Sequence, residues 1–205
     1  MTSSPCEPAD HLVYLHGFRS SSGSVKAVKT LSWMQACGAS DRLWQPDLPA
    51  SPKAAIAGVS QWLEEKRRLN PACRFDFIGS SLGGFYASVL VERFGGRAVL
   101  LNPAVTPWTD LQDQIGRKKV YFSDAEIEFV PEYLSDLQAM NVAMPTQTGR
   151  YFLLACLGDE VLDAHAMIAR YKGASARIVE GGDHAISDFD LHLPWVMQCV
   201  GWGRP

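Results

Sequence analysis

Apolar positions along this chain fall into short runs bounded by Gly, Pro and polar residues, and these alternate with longer stretches in which apolar residues recur every three or four positions. Runs of the first kind suit buried strands and stretches of the second kind suit helices. Their regular alternation predicts an α/β fold, a mainly parallel sheet covered by helices on both faces. "HLVYLHG" opens as a strand, and a helix follows over about Val25–Cys37, stopped by Gly38. "RLWQPDLP" predicts a second strand that Pro46 and Pro49 end. A helix over Pro52–Leu69, the strand "CRFDFIGS", the helix "LGGFYASVLVERF" closed by Gly95 and Gly96, and the strand "RAVLLNPA" continue the rhythm.

From about Val105 to Gly149 the rhythm breaks. No clear strand pattern is present, but Trp108, Ile115, Tyr121, Phe129, Tyr133, Leu134 and Leu137 are scattered through it, which predicts a helical, cap-like insertion. Ser123 and Glu126 stand at capping-box spacing, and Pro131 suits the start of a second short helix. The alternation resumes with the strand "RYFLLACLGD", the helix "LDAHAMIARYKG", the strand "ARIVEGGDH" and a last helix from about Asp190 to Gly201. No linker or repeat divides the chain, so residues 1–205 are expected to form one domain.

Composition narrows the function classes. Hydrophobic residues make up 47% and charged residues 20%, enough apolar surface for a core and too little charge for a disordered chain. A formal charge of −3 provides no field for a phosphate backbone, so no nucleic-acid partner is expected. The basic runs Lys66-Arg67-Arg68 and Arg117-Lys118-Lys119 are expected on solvated faces. Five cysteines without CxxC spacing suggest neither a disulfide framework nor a metal site, and fit a reducing compartment. "MTSSPCEPAD" has no basic or apolar leader region, and nowhere do eighteen apolar residues run together. The expected setting is therefore cytoplasmic, with no membrane attachment.

The chemistry centres on Gly79-Ser80-Ser81-Leu82-Gly83, which has the form G-x-S-x-G and lies between a predicted strand and a predicted helix. A sharp strand-to-helix turn there would strain the backbone of Ser81 and crowd its neighbours, so glycines are required at 79 and 83. Glycine at a helix start costs about 1 kcal/mol relative to alanine, so "LGG" is explained by a turn that holds a nucleophile better than by helix formation. A dinucleotide-binding turn would need a second glycine where this stretch has serine. Ser80 is expected to point away and bond within the fold.

A serine hydroxyl needs a base, and the base needs an orienting acid. His184, in the Gly-rich loop after the last strand, is the expected base; His11 starts a strand, while His165 and His192 fall in helical patterns. Asp159, at the end of "CLGD", is the expected acid, with Asp163 as its rival; Asp183 adjoins the base and points elsewhere. Strand ends on the carboxyl side are where parallel sheets place their ligands. The oxyanion that forms needs two donors, and the expected pair is the backbone N–H of Leu82 and that of Phe18 in "YLHGF", with His16 in a structural role.

The segments "YLHGFRSSSGSVKA", "FIGSSLGGFYASVLVERFGGRAVLLNPA" and "GGDHAISDF" resemble the small YqiA-like esterases of the α/β-hydrolase superfamily, over essentially the whole chain. The resemblance implies Ser81, Asp159 and His184 as catalytic triad and Phe18 with Leu82 as oxyanion donors. It also implies a minimal six-stranded parallel sheet in the order 2-1-3-4-5-6. The expected activity is hydrolysis of carboxylic esters, including thioesters such as acyl-CoA, through an acyl-enzyme and without metal or cofactor. An acyltransferase or peptidase on the same triad, or a non-catalytic binding protein, is the alternative. The insertion, through Trp108, Phe129 and Tyr133, is expected to bind the acyl part of the small-molecule substrate.

Overall fold

The computed structural model describes residues 7–121 and 123–203; the first six residues, on which the expected lack of a leader partly rests, lie outside them. Six strands form the main sheet: β1 (His11–Leu15), β2 (Leu43–Trp44), β3 (Phe75–Ser80), β4 (Ala98–Leu101), β7 (Tyr151–Cys156) and β8 (Ser175–Val179). They run in the order β2-β1-β3-β4-β7-β8, with every neighbouring pair parallel. Two further strands, β5 (Gly116–Lys119) and β6 (Glu126–Phe129), form a separate hairpin. With the hairpin set aside, the order is the 2-1-3-4-5-6 expected of the minimal sheet.

Each central strand sends alternate side chains to opposite faces, and both faces are covered, which is why these strands read as continuous apolar runs. Leu12 and Tyr14 of β1, Ile78 of β3, Val99 and Leu101 of β4 and Leu154 of β7 pack with Ala27 and Met34 of α1 (Val25–Ala36) and Phe189, Val196 and Met197 of α7 (Phe189–Cys199). Val13, Leu15, Phe77, Leu100 and Leu153 face the other way. They meet α2 (Pro52–Leu69), α3 (Leu82–Phe94) and Met167 of α6 (Ala164–Arg170). At the amino end of the sheet the buried Asp76 is paired with Arg97, which neutralises a charge that the core could not otherwise hold.

Several local expectations change. Strand β2 is only Leu43–Trp44, because Pro46 follows at once. Of the first basic run, Arg67 is not simply solvated: its guanidinium donates to the Phe94 carbonyl and lies over the Phe75 and Phe94 rings. The insertion is mixed rather than helical. It comprises α4 (Pro107–Asp110), a 3₁₀ turn, the antiparallel β5–β6 hairpin and α5 (Glu132–Ala139), which follows Pro131. Glu126 begins β6, so Ser123 and Glu126 form no helix cap, and Ser123 Oγ instead accepts from the Ala125 N–H. The run Arg117-Lys118-Lys119 forms β5, and Arg117 and Lys119 stand opposite Glu128 and Glu126 across the ladder. No helix among the described residues is long and apolar enough to cross a membrane.

Candidate active site

Residue 81 joins β3 to α3 with φ 55° and ψ −120°, a conformation that non-glycine residues avoid and that persists only when the surroundings impose it. Here the imposition comes from the next strand: the Ser81 N–H donates to the Leu101 carbonyl at 3.0 Å, and the Ser81 carbonyl accepts from Ala104 at 3.0 Å. The flanking glycines explain the tightness of the turn. A Cβ on Gly79 would lie 2.3 Å from the Gly83 carbonyl oxygen, whereas one on Gly83 would lie 2.0 Å from the carbonyl oxygen of Leu15. The second glycine is thus demanded by the end of β1, not by the first glycine.

The other functional side chains arrive on three loops at the carboxyl end of the sheet. Asp159 follows β7, and its buried carboxylate accepts from the Val161 and Leu162 amides, both at 2.8 Å, through Oδ1. Its Oδ2 accepts from His184 Nδ1–H at 2.8 Å, and His184 Nε2 lies 3.1 Å from Ser81 Oγ. Burial pushes the Asp159 carboxyl up. The bonds from His184, Leu162 and Val161 outweigh that and hold it below the usual carboxylate value, so it stays ionised at neutral pH. Asp163, the rival acid, caps α6 by accepting from the His165 N–H, and Asp183 accepts from the N–H and hydroxyl of Ser187.

His184 is held from its backbone as well as from its ring. Its N–H donates to Glu160, and Lys26 Nζ donates to the next carbonyl, Ala185. Asn102, fully buried at the end of β4 with φ 42°, donates from Nδ2 to the carbonyls of Asp183 and His184 and accepts from the Cys156 N–H at 2.8 Å. One side chain therefore ties two strand ends to the histidine loop. Asn102→Ala should lower the melting temperature, since a buried N–H left unpaired costs about 1–3 kcal/mol. It should also cut kcat by about a hundredfold at nearly constant KM, as a displacement of about 1 Å does. Unchanged kcat in a destabilised but folded variant would leave Asn102 without a positioning role.

The loop after β1 passes against the elbow. A Cβ on Gly17 would come within 3.2 Å of Ser81 Cβ and 3.6 Å of Ser81 Oγ, so the loop runs beside the Ser81 side chain. Among the described residues the Phe18 N–H has no acceptor, and the Leu82 N–H belongs to the first turn of α3, where helix amides lack intrahelical partners. His16 fixes this loop: Nδ1–H donates to the Gly17 carbonyl, and Nε2 accepts from the Leu48 N–H at 2.9 Å. Burial lowers its pKa, which suits a neutral ring in this structural bond. Arg19, also at positive φ, docks the hairpin onto the loop. It donates to the Lys119 carbonyl, accepts from the Tyr121 N–H and stacks over the Tyr121 ring.

Ser81 and His184 open into a cavity of about 530 Å³, to which the insertion contributes Pro107, Asp110, Leu111, Gln114 and Tyr121. The aromatic residues expected to bind substrate are not on its wall. Phe129 is fully buried and packs edge-on against Phe18 and Tyr133, and Trp108 packs against Phe85. Phe129 thereby backs Phe18, which is on the wall. Ser80 is buried yet reaches the wall, and its hydroxyl makes no hydrogen bond among the described residues, contrary to expectation. Sequence reasoning missed Arg19, Lys26 and Asn102; only Asn102 had a signal, in the "NPA" that ends the fourth strand. No group of three metal-ligating side chains occurs among the described residues.

A family model described as an uncharacterised protein family, UPF0227, matches residues 11–200. Among solved structures, the ferulic-acid complex of Est1E from Butyrivibrio proteoclasticus superposes with a TM-score of 0.66 at 14% identity, covering 98% of this chain and 88% of that one. A putative hydrolase from Agrobacterium vitis gives 0.65 at 17% identity over 93% and 90% of the two chains. The esterase domain of a Rhodothermus marinus protein gives 0.60 at 16%, over 95% and 83%. These likenesses establish the α/β-hydrolase fold.

Proposed function

From a chain that belongs to the UPF0227, YqiA-like family, we propose a serine hydrolase of carboxylic esters and thioesters, with Ser81 as nucleophile, His184 as base and Asp159 as orienting acid. The observation that carries this reading is the unbroken run of hydrogen bonds, 3.1 Å and 2.8 Å, from a serine on a strained elbow through His184 to a buried carboxylate.

In this mechanism His184 Nε2 takes the Ser81 hydroxyl proton as Oγ bonds to the substrate carbonyl carbon. Asp159 keeps the proton of the resting ring on Nδ1, so that Nε2 is free to accept, and stabilises the imidazolium that forms. The carbonyl oxygen becomes an oxyanion that the amides of Phe18 and Leu82 can receive, in a site partly shielded from water. When the tetrahedral species collapses, the bond to the alcohol or thiol breaks and His184 returns the proton to the leaving atom. Water, deprotonated by His184, then repeats the sequence on the acyl-enzyme and releases the acid. From the protein these steps draw on side chains and amides alone, and the second half consumes one water. Residues 1–205 act as one domain, with the segment of about 105–149 as its cap.

The test is a panel of matched esters, thioesters and amides with graded acyl chains. Turnover of esters or thioesters is expected, with amides poor; amide cleavage or acyl transfer to an added alcohol in preference to water would replace the hydrolase reading. Leu111→Ala should extend the tolerated chain length, because Leu111 is on the cavity wall. Phe129→Ala should instead lower stability by about 3–5 kcal/mol, as loss of a buried phenyl ring does.

A further inference from the structure

Part of the cavity wall is made by Tyr14 on β1 and by the first residues of α1, and it carries polar groups that the hydrolytic steps leave unused. Tyr14 is 1% exposed, and its hydroxyl has no hydrogen-bond partner among the described residues. The buried hydroxyl of Ser24, at the N-cap of α1, has none either and caps no amide. The two hydroxyls are each other's polar neighbours, sealed between β1 and the start of α1.

Lys26 adds a charge at the same place. It stands in the first turn of α1, where the helix dipole disfavours a cation and where no acidic residue offsets it. Burial pushes its ammonium down to about 8, against the opposing pull of Asp183, Cys156 and Asp159. It forms no ion pair among the described residues, since Asp183 is engaged with Ser187 and Asp159 with His184 and two amides. Its bond to the Ala185 carbonyl uses one of three N–H groups, which leaves two for a ligand. Arg19 contributes a second cation to the lining, and the acid there, Asp110, belongs to α4 in the insertion.

We propose that Lys26, with Arg19 as a second cation on the wall, forms an anion subsite of the cavity, and that the ester hydrolysed at Ser81 carries a carboxylate or phosphate group. This rests on the hydrolase reading given above. The group would accept charge-assisted hydrogen bonds from the two N–H groups of Lys26 Nζ that Ala185 leaves free.

The test uses esters of equal length ending in methyl, carboxylate or phosphonate, with the end group placed on the acyl part in one set and on the alcohol in another. An anionic member is expected to exceed its methyl counterpart in kcat/KM by about tenfold or more, the scale of one charge-assisted bond. Whether the carboxylate or the phosphonate wins identifies the ligand chemistry. Lys26→Gln, which keeps a donor for Ala185 but not the charge, should abolish the ratio. Hydrolysis of methyl-ended esters without any anionic preference, or a preference intact in Lys26→Gln, would overturn the subsite and leave the hydrolase reading standing. If no ester is hydrolysed, the hydrolase reading fails and binding decides: inorganic phosphate or succinate should raise the melting temperature of the parent but not of Lys26→Gln or Lys26→Met, and no such difference overturns the subsite.

Discussion

Ser81→Ala is expected to fold like the parent and to lose about four orders of magnitude or more in kcat, leaving the residual rate that binding and amide donors alone support. Alanine retains the Cβ that the elbow already accommodates, and both backbone bonds of residue 81 persist, so stability should change little. What disappears is the oxygen 3.1 Å from His184 Nε2. Ser80→Ala is the control: Ser80 lines the cavity, and its hydroxyl makes no hydrogen bond among the described residues, so both activity and stability should be nearly kept. A fluorophosphonate probe followed by peptide mass mapping locates the adduct directly. Labelling of Ser80, or no labelling of a folded and active protein, would overturn the assignment of the nucleophile.

Asp159→Ala should lower kcat by about a thousandfold or more, whereas Asp163→Ala should cost only about 1 kcal/mol of stability through the lost cap of α6. Asp159 also accepts from the amides of Val161 and Leu162, so the alanine variant disturbs its loop as well as the imidazole. Asp159→Asn separates the two effects. The amide oxygen can still accept from the loop, while its NH₂ group favours the ring tautomer with Nδ1 unprotonated, leaving the Nε2 proton pointed at Ser81. A loss on the order of 10⁴ with unchanged melting temperature is the expected signature. Steady-state kinetics beside thermal denaturation measure both, and a severe Asp163→Ala with a mild Asp159→Ala would exchange their roles.

How much of this was legible in the chain depended on whether a residue's surroundings were local. The runs Leu12–Leu15 and Tyr151–Cys156 are apolar on both faces, as a doubly covered parallel sheet requires. The elbow was legible because its glycines, serine and flanking elements are contiguous. Hairpin strand β5 was not: Gly116-Arg117-Lys118-Lys119 has no apolar alternation, and it is held by a partner strand and by Arg19, nearly a hundred positions away in the chain. Trp108, Phe129 and Tyr133 looked like pocket residues because aromaticity alone cannot distinguish the wall of a cavity from the core behind it. Asn102 and Lys26 act on the carbonyls of the histidine loop, which no pattern near either residue records.

Ser81 and His184 are 103 positions apart in the chain, yet their side chains meet, and the strands that bring them together are joined only by crossover connections. Such non-local pairings form slowly, since a long loop must close before any contact rewards it. Helices α1 to α3 can gain ellipticity early, but the imidazole reaches the serine only after β8 has joined the sheet and the following loop has docked on Asn102. In a refolding experiment, the turnover proposed for Ser81 should therefore return after the far-ultraviolet signal, and would serve as a clock for the last assembly step of the chain.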